Sequence, residues 1–124
     1  MITYLFTAIV FVLLDGIYLN LFKNYFNQQV KDVQGNPIQF NFMAAAITYI
    51  FLIYGLNYFI IQKRRSVADA ATLGFVIYGV YEFTTLTLLK NWHILTVIMD
   101  TTWGAVLFGL TTAIIYKLKD LFKM

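Results

Sequence analysis

Four long apolar stretches separated by short polar interruptions organise the chain, roughly Ile2 to Phe22, Phe42 to Ile61, Ala68 to Leu89 and Ile94 to Tyr116. The hydrocarbon core of a bilayer is about 30 Å thick and takes about 20 mostly apolar residues at about 1.5 Å each, so each stretch is long enough to cross it. Lipid-exposed backbone must satisfy its own hydrogen bonds, which leaves helices or a closed barrel. No run of about ten alternating residues suggests barrel strands. The pattern predicts an all-α fold, an integral membrane four-helix bundle forming one transmembrane domain over residues 1–124. The first stretch is expected to remain in place as a span. It lacks a basic leading region and a small-residue cleavage site, and it carries Asp15.

The links set the topology. Residues 23–41 form the only long connection; Tyr25, Phe26, Val30 and Val33 fall at helical spacing before the turn-forming Gly35-Asn36-Pro37. This segment is expected to lie at the membrane interface as a short amphipathic helix. Ser66 and Asp69 read as a capping pair that starts the third span, and Lys90 to His93 as a tight turn, with His93 in solvent. Short links make consecutive helices neighbours, so the expected order is up-down-up-down. Lys63, Arg64, Arg65, Lys117, Lys119 and Lys123 fall on one side, against Lys23, Lys31 and Lys90 on the other. Basic side chains favour the inner face, which predicts a multi-pass protein with both termini cytoplasmic.

Composition narrows the chemistry. Apolar residues make up 60% and charged residues 12%, against about 45–50% and about 25% in soluble domains, and the mean hydropathy is +0.72. These values exclude a nucleic-acid-binding module, a secreted disulfide scaffold and a disordered tail. With no Cys and one His, thiol catalysis, disulfides, iron–sulfur clusters and two-His metal sites all lack their ligands. No cofactor is expected, and no nucleic-acid partner; the bilayer is the expected partner.

Three acids sit inside the spans: Asp15, Glu82 and Asp100. An acid at a helix centre disfavours insertion by about 2.5–3.5 kcal/mol, so each needs an explanation from its surroundings. Counted from the outer end of its span, each lies about six or seven residues deep, or about 9–10.5 Å at the helical rise. The three carboxyls are therefore expected to share a layer, bounded on the second span by Thr48 and Tyr49. Tyr18, Tyr78 and Trp103 lie three or four residues from an acid and read as its partners on the same helical face. Thr85, one turn beyond Glu82, adds a hydroxyl, and Lys90 at the outer mouth offers the one nearby cation. Gly16, Gly74, Gly79, Gly104 and Gly109 are expected to let helices approach closely.

The blocks Leu14-Asp15-Gly16-Ile17-Tyr18-Leu19, Tyr78-Gly79-Val80-Tyr81-Glu82-Phe83-Thr84-Thr85-Leu86-Thr87-Leu88-Leu89-Lys90-Asn91-Trp92 and Asp100-Thr101-Thr102-Trp103-Gly104 resemble the three motif blocks of the domain of unknown function 2177 family. That resemblance spans nearly the whole chain and implies four transmembrane helices, with no activity attached. The family pattern has Trp in place of Tyr18, Asp in place of Glu82 and Asn in place of Thr85. Glu82 thus keeps the carboxyl on a longer arm, and Thr85 gives up an amide.

Three functions fit this layer. In the first, Asp15, Glu82 and Asp100 bind or move protons or cations, supported by Tyr18, Tyr78, Tyr81, Thr84, Thr85, Lys90, Trp92 and Trp103; conduction then implies a homo-oligomer, since one copy offers little room for a path. Packed together, the carboxyls cannot all ionise cheaply, so at least one is expected to hold a proton. In the second, the acids are hydrogen-bond glue in a structural or accessory protein. The third, an intramembrane acid/base enzyme, lacks the Gly-x-Gly-Asp signature of intramembrane aspartyl proteases; no catalytic residue is assigned and no enzymatic activity is expected. The sequence does not identify a bound metal.

Overall fold

The structure is a computed structural model that describes residues 1–123. Its helices are α1 (Ile2–Leu21), α2 (Lys23–Gln34), α3 (Phe42–Leu56), α4 (Val67–Leu88) and α5 (Ile94–Phe122); a π-helical turn, Asn57–Ile61, continues α3. There is no strand among the described residues. Four helical stretches, Ile2–Leu21, Phe42–Ile61, Val67–Leu88 and Ile94–Phe122, are long and apolar enough to cross a membrane. Large apolar side chains such as Leu5, Leu13, Phe51, Val80 and Ile98 point outward along them. On a chain of this hydropathy that surface is a lipid contact, and the protein is an integral membrane protein.

Local chemistry explains where the helices begin and end. The Asn41 side chain accepts from the Ala44 amide and caps α3, and Ser66 accepts from the Asp69 amide at 3.0 Å, as its spacing predicts. Gly35, with φ at +82°, closes α2 in the left-handed conformation that glycine adopts without strain. The last span runs beyond Tyr116 to Phe122, because neither glycine nor proline follows to stop it. The π turn widens the ladder so that Gln62 N–H donates to Asn57 O, and Tyr116 Oη donates to the carbonyls of Ile60 and Arg65.

α5 is the central element, packing along α4 and against α1, while α3 packs on α1. The core is Phe11 on α1, Ile53, Leu56, Ile60 and Ile61 at the end of the second span, Ala70 on α4, and Leu107, Phe108 and Ile115 on α5. Two glycines make the α4–α5 contact possible. A Cβ on Gly74 would stand 2.1 Å from the Gly104 carbonyl oxygen, and one on Gly104 would stand 2.4 Å from the Tyr78 ring. Gly109 and Gly79 lie at ordinary contact distance from α4 and α5 neighbours, whereas Gly16 faces open space, so the close approach expected there does not occur.

α2 does more than lie at an interface. Its Gln29, 1% exposed, accepts from Thr96 Oγ1 and from the His93 amide and donates to the Asn91 carbonyl. Tyr25 shares a hydrogen bond with the same Thr96 hydroxyl, and Asp32 contacts His93 Nε2 at 3.2 Å. The helix is thereby strapped to the turn between α4 and α5. His93 is exposed, as expected, and is also tied to that strap.

Candidate functional site

The acids stand where the buried stripes of three helices meet. On α1 the buried residues are Thr7, Phe11, Asp15 and Tyr18, spaced three or four apart so that one face carries them all. Asp15 is 8% exposed and Glu82 1%. Asp15 accepts twice, from Trp103 Nε1 at 2.9 Å and from Tyr49 Oη at 2.5 Å. Asp100 accepts from Tyr18 Oη at 2.9 Å, and Glu82 accepts from Trp92 Nε1 at 3.0 Å. The carboxyls of Glu82 and Asp100 are neighbours across α4 and α5, each close enough to feel the charge of the other.

The pairing crosses between helices. Tyr18 follows Asp15 on α1 yet donates to Asp100 on α5; Trp103 follows Asp100 on α5 yet donates to Asp15 on α1. The expectation that each acid meets the aromatic beside it on its own face is corrected here. A ring aimed inward reaches the neighbouring helix before it can fold back on its own. Tyr18 and Trp103 then stack, joining Asp15 to the Glu82–Asp100 pair.

The supporting residues divide. Tyr78 packs on Gly104 and edge-on to Phe108, beside the layer, and makes no hydrogen bond to an acid. Tyr81 is exposed on the α4 surface, and Thr85 donates to the Tyr81 carbonyl instead of to an acid. Thr84 is exposed on the same helix. Lys90 is exposed and forms no ion pair: the ion pairs among the described residues are Arg64–Asp120, Arg65–Asp69 and His93–Asp32, all away from the layer. Thr48 is also exposed and donates to its own helix at Ala44, so only Tyr49 of the expected α3 boundary touches an acid. Among the described residues no group of three or more His, Asp or Glu side chains is gathered to hold a metal ion.

Below the layer the interior turns apolar, then polar again. Phe11 and Phe108, both fully buried, meet edge to face at 5.5 Å. Beyond them Thr7 Oγ1 donates to Asn57 Oδ1 at 3.4 Å, and the hydroxyls of Thr111 and Thr112 are buried without a partner. A buried Thr is hard to foresee, because on a helix its hydroxyl can bond its own backbone and pass for an apolar side chain.

What the layer can do chemically is limited by what surrounds it. Its hydrogen-bond partners are neutral donors, and among the described residues no basic side chain pairs with it. Such a site satisfies carboxylate oxygens without neutralising their charge. No curated protein and no solved structure matches the chain. A family model described as "Predicted membrane protein (DUF2177)" matches residues 1–117, nearly the whole chain, and the protein belongs to that family.

Proposed function

We propose that the carboxyl layer, carried by a single up-down-up-down bundle with both termini cytoplasmic, binds protons or monovalent cations that arrive from the outer face. The observation that carries this reading is the gathering of three acids, with Tyr18 and Trp103 stacked between Asp15 and Asp100, Glu82 beside Asp100, and no ion pair to any of them among the described residues. Two neighbouring carboxyls inside an apolar bundle need one positive charge between them, either a shared proton or a small cation, because like charges at short range repel strongly in a low dielectric. The scattered geometry, one pair plus one offset acid, favours a proton or monovalent ion over a multidentate divalent cation.

The order of cross-helix contacts supports the topology: Asp15 with Trp103 and Tyr18 with Asp100, Tyr49 with Asp15 and Asn57 with Thr7, Gly79 with Thr101 and Gly74 with Gly104. Numbers rise on one helix as they fall on the next. The basic side chains at the inner links support the sidedness. The Phe11–Phe108 plug supports binding from one side over conduction through a single copy, so transport requires a homo-oligomer or a movement of that plug.

The structural reading has its own support, since every acid accepts a hydrogen bond from an aromatic donor on another segment. One experiment separates the two. Purified protein in a weakly buffered detergent solution is titrated with Na⁺ or K⁺ while proton release is recorded, and the same protein in liposomes is assayed for flux with an internal pH dye. Proton release that vanishes in folded Glu82→Gln and Asp100→Asn establishes the site; flux on top of it establishes transport. No proton release from the unaltered protein, with variants that only lose thermal stability, overturns the proposal in favour of glue.

A further inference from the structure

A groove of about 630 Å³ lies beside the layer, lined by Ala45, Leu52, Ile77, Asp15, Tyr49 and Tyr78 among others. We propose that it binds a single-chain amphiphile with an amine head, the ammonium at Asp15 and the apolar chain lying between α3 and α4.

The shape of the bundle sets the route. α3 packs on α1, and α4 packs on α5, with little direct contact between α3 and α4. The gap opens sideways along two membrane-spanning helices, so its natural visitors come from the bilayer. Its volume falls within the roughly 300–1,000 Å³ of sites that hold one small molecule, and a transmembrane helix, about 10–12 Å across, is too bulky for it.

The charge sets the head group. Asp15 is the one ionisable acid lining the groove, it is almost fully buried, and both of its partners donate to it. Two donors leave each carboxylate oxygen a further lone pair and leave the charge unbalanced. An ammonium supplies both the missing positive charge and a donor, and Tyr49 and Tyr78 line the same groove. A fatty acid brings a second negative charge, and a neutral alcohol brings a donor with no charge.

This inference rests on the reading that the layer takes positive charge, but it assigns the organic cation to Asp15 and leaves the proton to Glu82 and Asp100. The test uses nanodiscs of zwitterionic lipid and a Trp92→Phe background shown to fold, so that Trp103, hydrogen-bonded to Asp15, is the only indole. A brominated long-chain amine and the brominated alcohol of equal length are compared as quenchers. The expected result is saturable quenching by the amine at a membrane fraction at least tenfold lower than the alcohol needs. Ala45→Phe, which narrows the groove and leaves the acid itself in place, should raise the amine fraction for half-quenching at least tenfold. Asp15→Asn should make the two quenchers equal.

Equal quenching by amine and alcohol in the Trp92→Phe protein overturns the proposal in favour of ordinary lipid. An amine response untouched by Ala45→Phe also overturns it, because the amine then reaches Trp103 by another face. A change in dimer content with Ala45→Phe, without amine selectivity, overturns it in favour of a second copy in the groove. Failure of the amine in the Trp92→Phe protein, alongside proton release from Glu82 and Asp100 in the unaltered protein, removes this inference and leaves the proton site standing.

Discussion

Tyr18 and Trp103 stack face to face, ring centroids 4.5 Å apart and planes 5° from parallel, and each donates its hydrogen bond to the acid on the other's helix. The two Asp-x-x-aromatic units therefore close a crossed latch between α1 and α5. Stacking fixes the rings, the rings fix the two donors, and the donors fix Asp15 and Asp100.

The latch predicts unequal damage. Tyr18→Phe keeps the stack and removes one donor, for an expected loss of about 0.6–1.7 kcal/mol, the range of interhelical hydrogen bonds in membranes. Trp103→Ala removes a donor and the stack, adding about 0.5–1.5 kcal/mol. Reversible unfolding in bicelles measures both, and the double variant should fall short of the sum because the two rings share one contact.

Small residues between α4 and α5 predict a second contrast. Gly74→Ala pushes a methyl into the Gly104 backbone and should destabilise by about 1–3 kcal/mol or more, as overpacking does. Gly16→Ala meets nothing and should be neutral or stabilising by up to about 1 kcal/mol, since alanine is the better helix former. Parallel unfolding curves for the two variants check the pair.

The α2 strap predicts a response at acid pH. Hydrogen bonds from Gln28 and then His93 hold the Asp32 carboxyl below its ordinary value of 3.8. A depressed carboxyl stabilises the strap above that ordinary value, and its contribution is lost as pH falls through the lower value of the folded protein. The chain has no Cys, so spin labels at Lys31→Cys and Lys90→Cys report on the strap without background. Their distance should hold from pH 7 to pH 5 and broaden only below about pH 4, the ordinary Asp range. Asp32→Asn should remove that dependence on pH.

The spans were legible because membrane helices must be about 20 apolar residues long, and the acids were legible because charge inside such a span is rare. The contacts those acids make were not. Helical spacing places Asp15 and Tyr18 on one face, but only the packing of α1 against α5 decides that Tyr18 reaches Asp100. Trp92 belongs to the predicted supporting set, but its particular reach back to Glu82 depends on how the turn, with Asn91 at φ +64°, redirects the chain. Gln29 did carry a signal. It interrupts the apolar stripe of Tyr25, Phe26, Val30 and Val33, and a lone amide on an apolar face marks a place where something polar will dock.

Infrared difference spectroscopy on the carboxyl stretch tests the central claim most directly, by comparing the protein with Glu82→Gln and Asp100→Asn at neutral pH. The account predicts a protonated-carboxyl band that disappears in each single variant and diminishes as a monovalent cation displaces the shared proton. A spectrum with no protonated-carboxyl band, unchanged by either variant and by added cation, would contradict it.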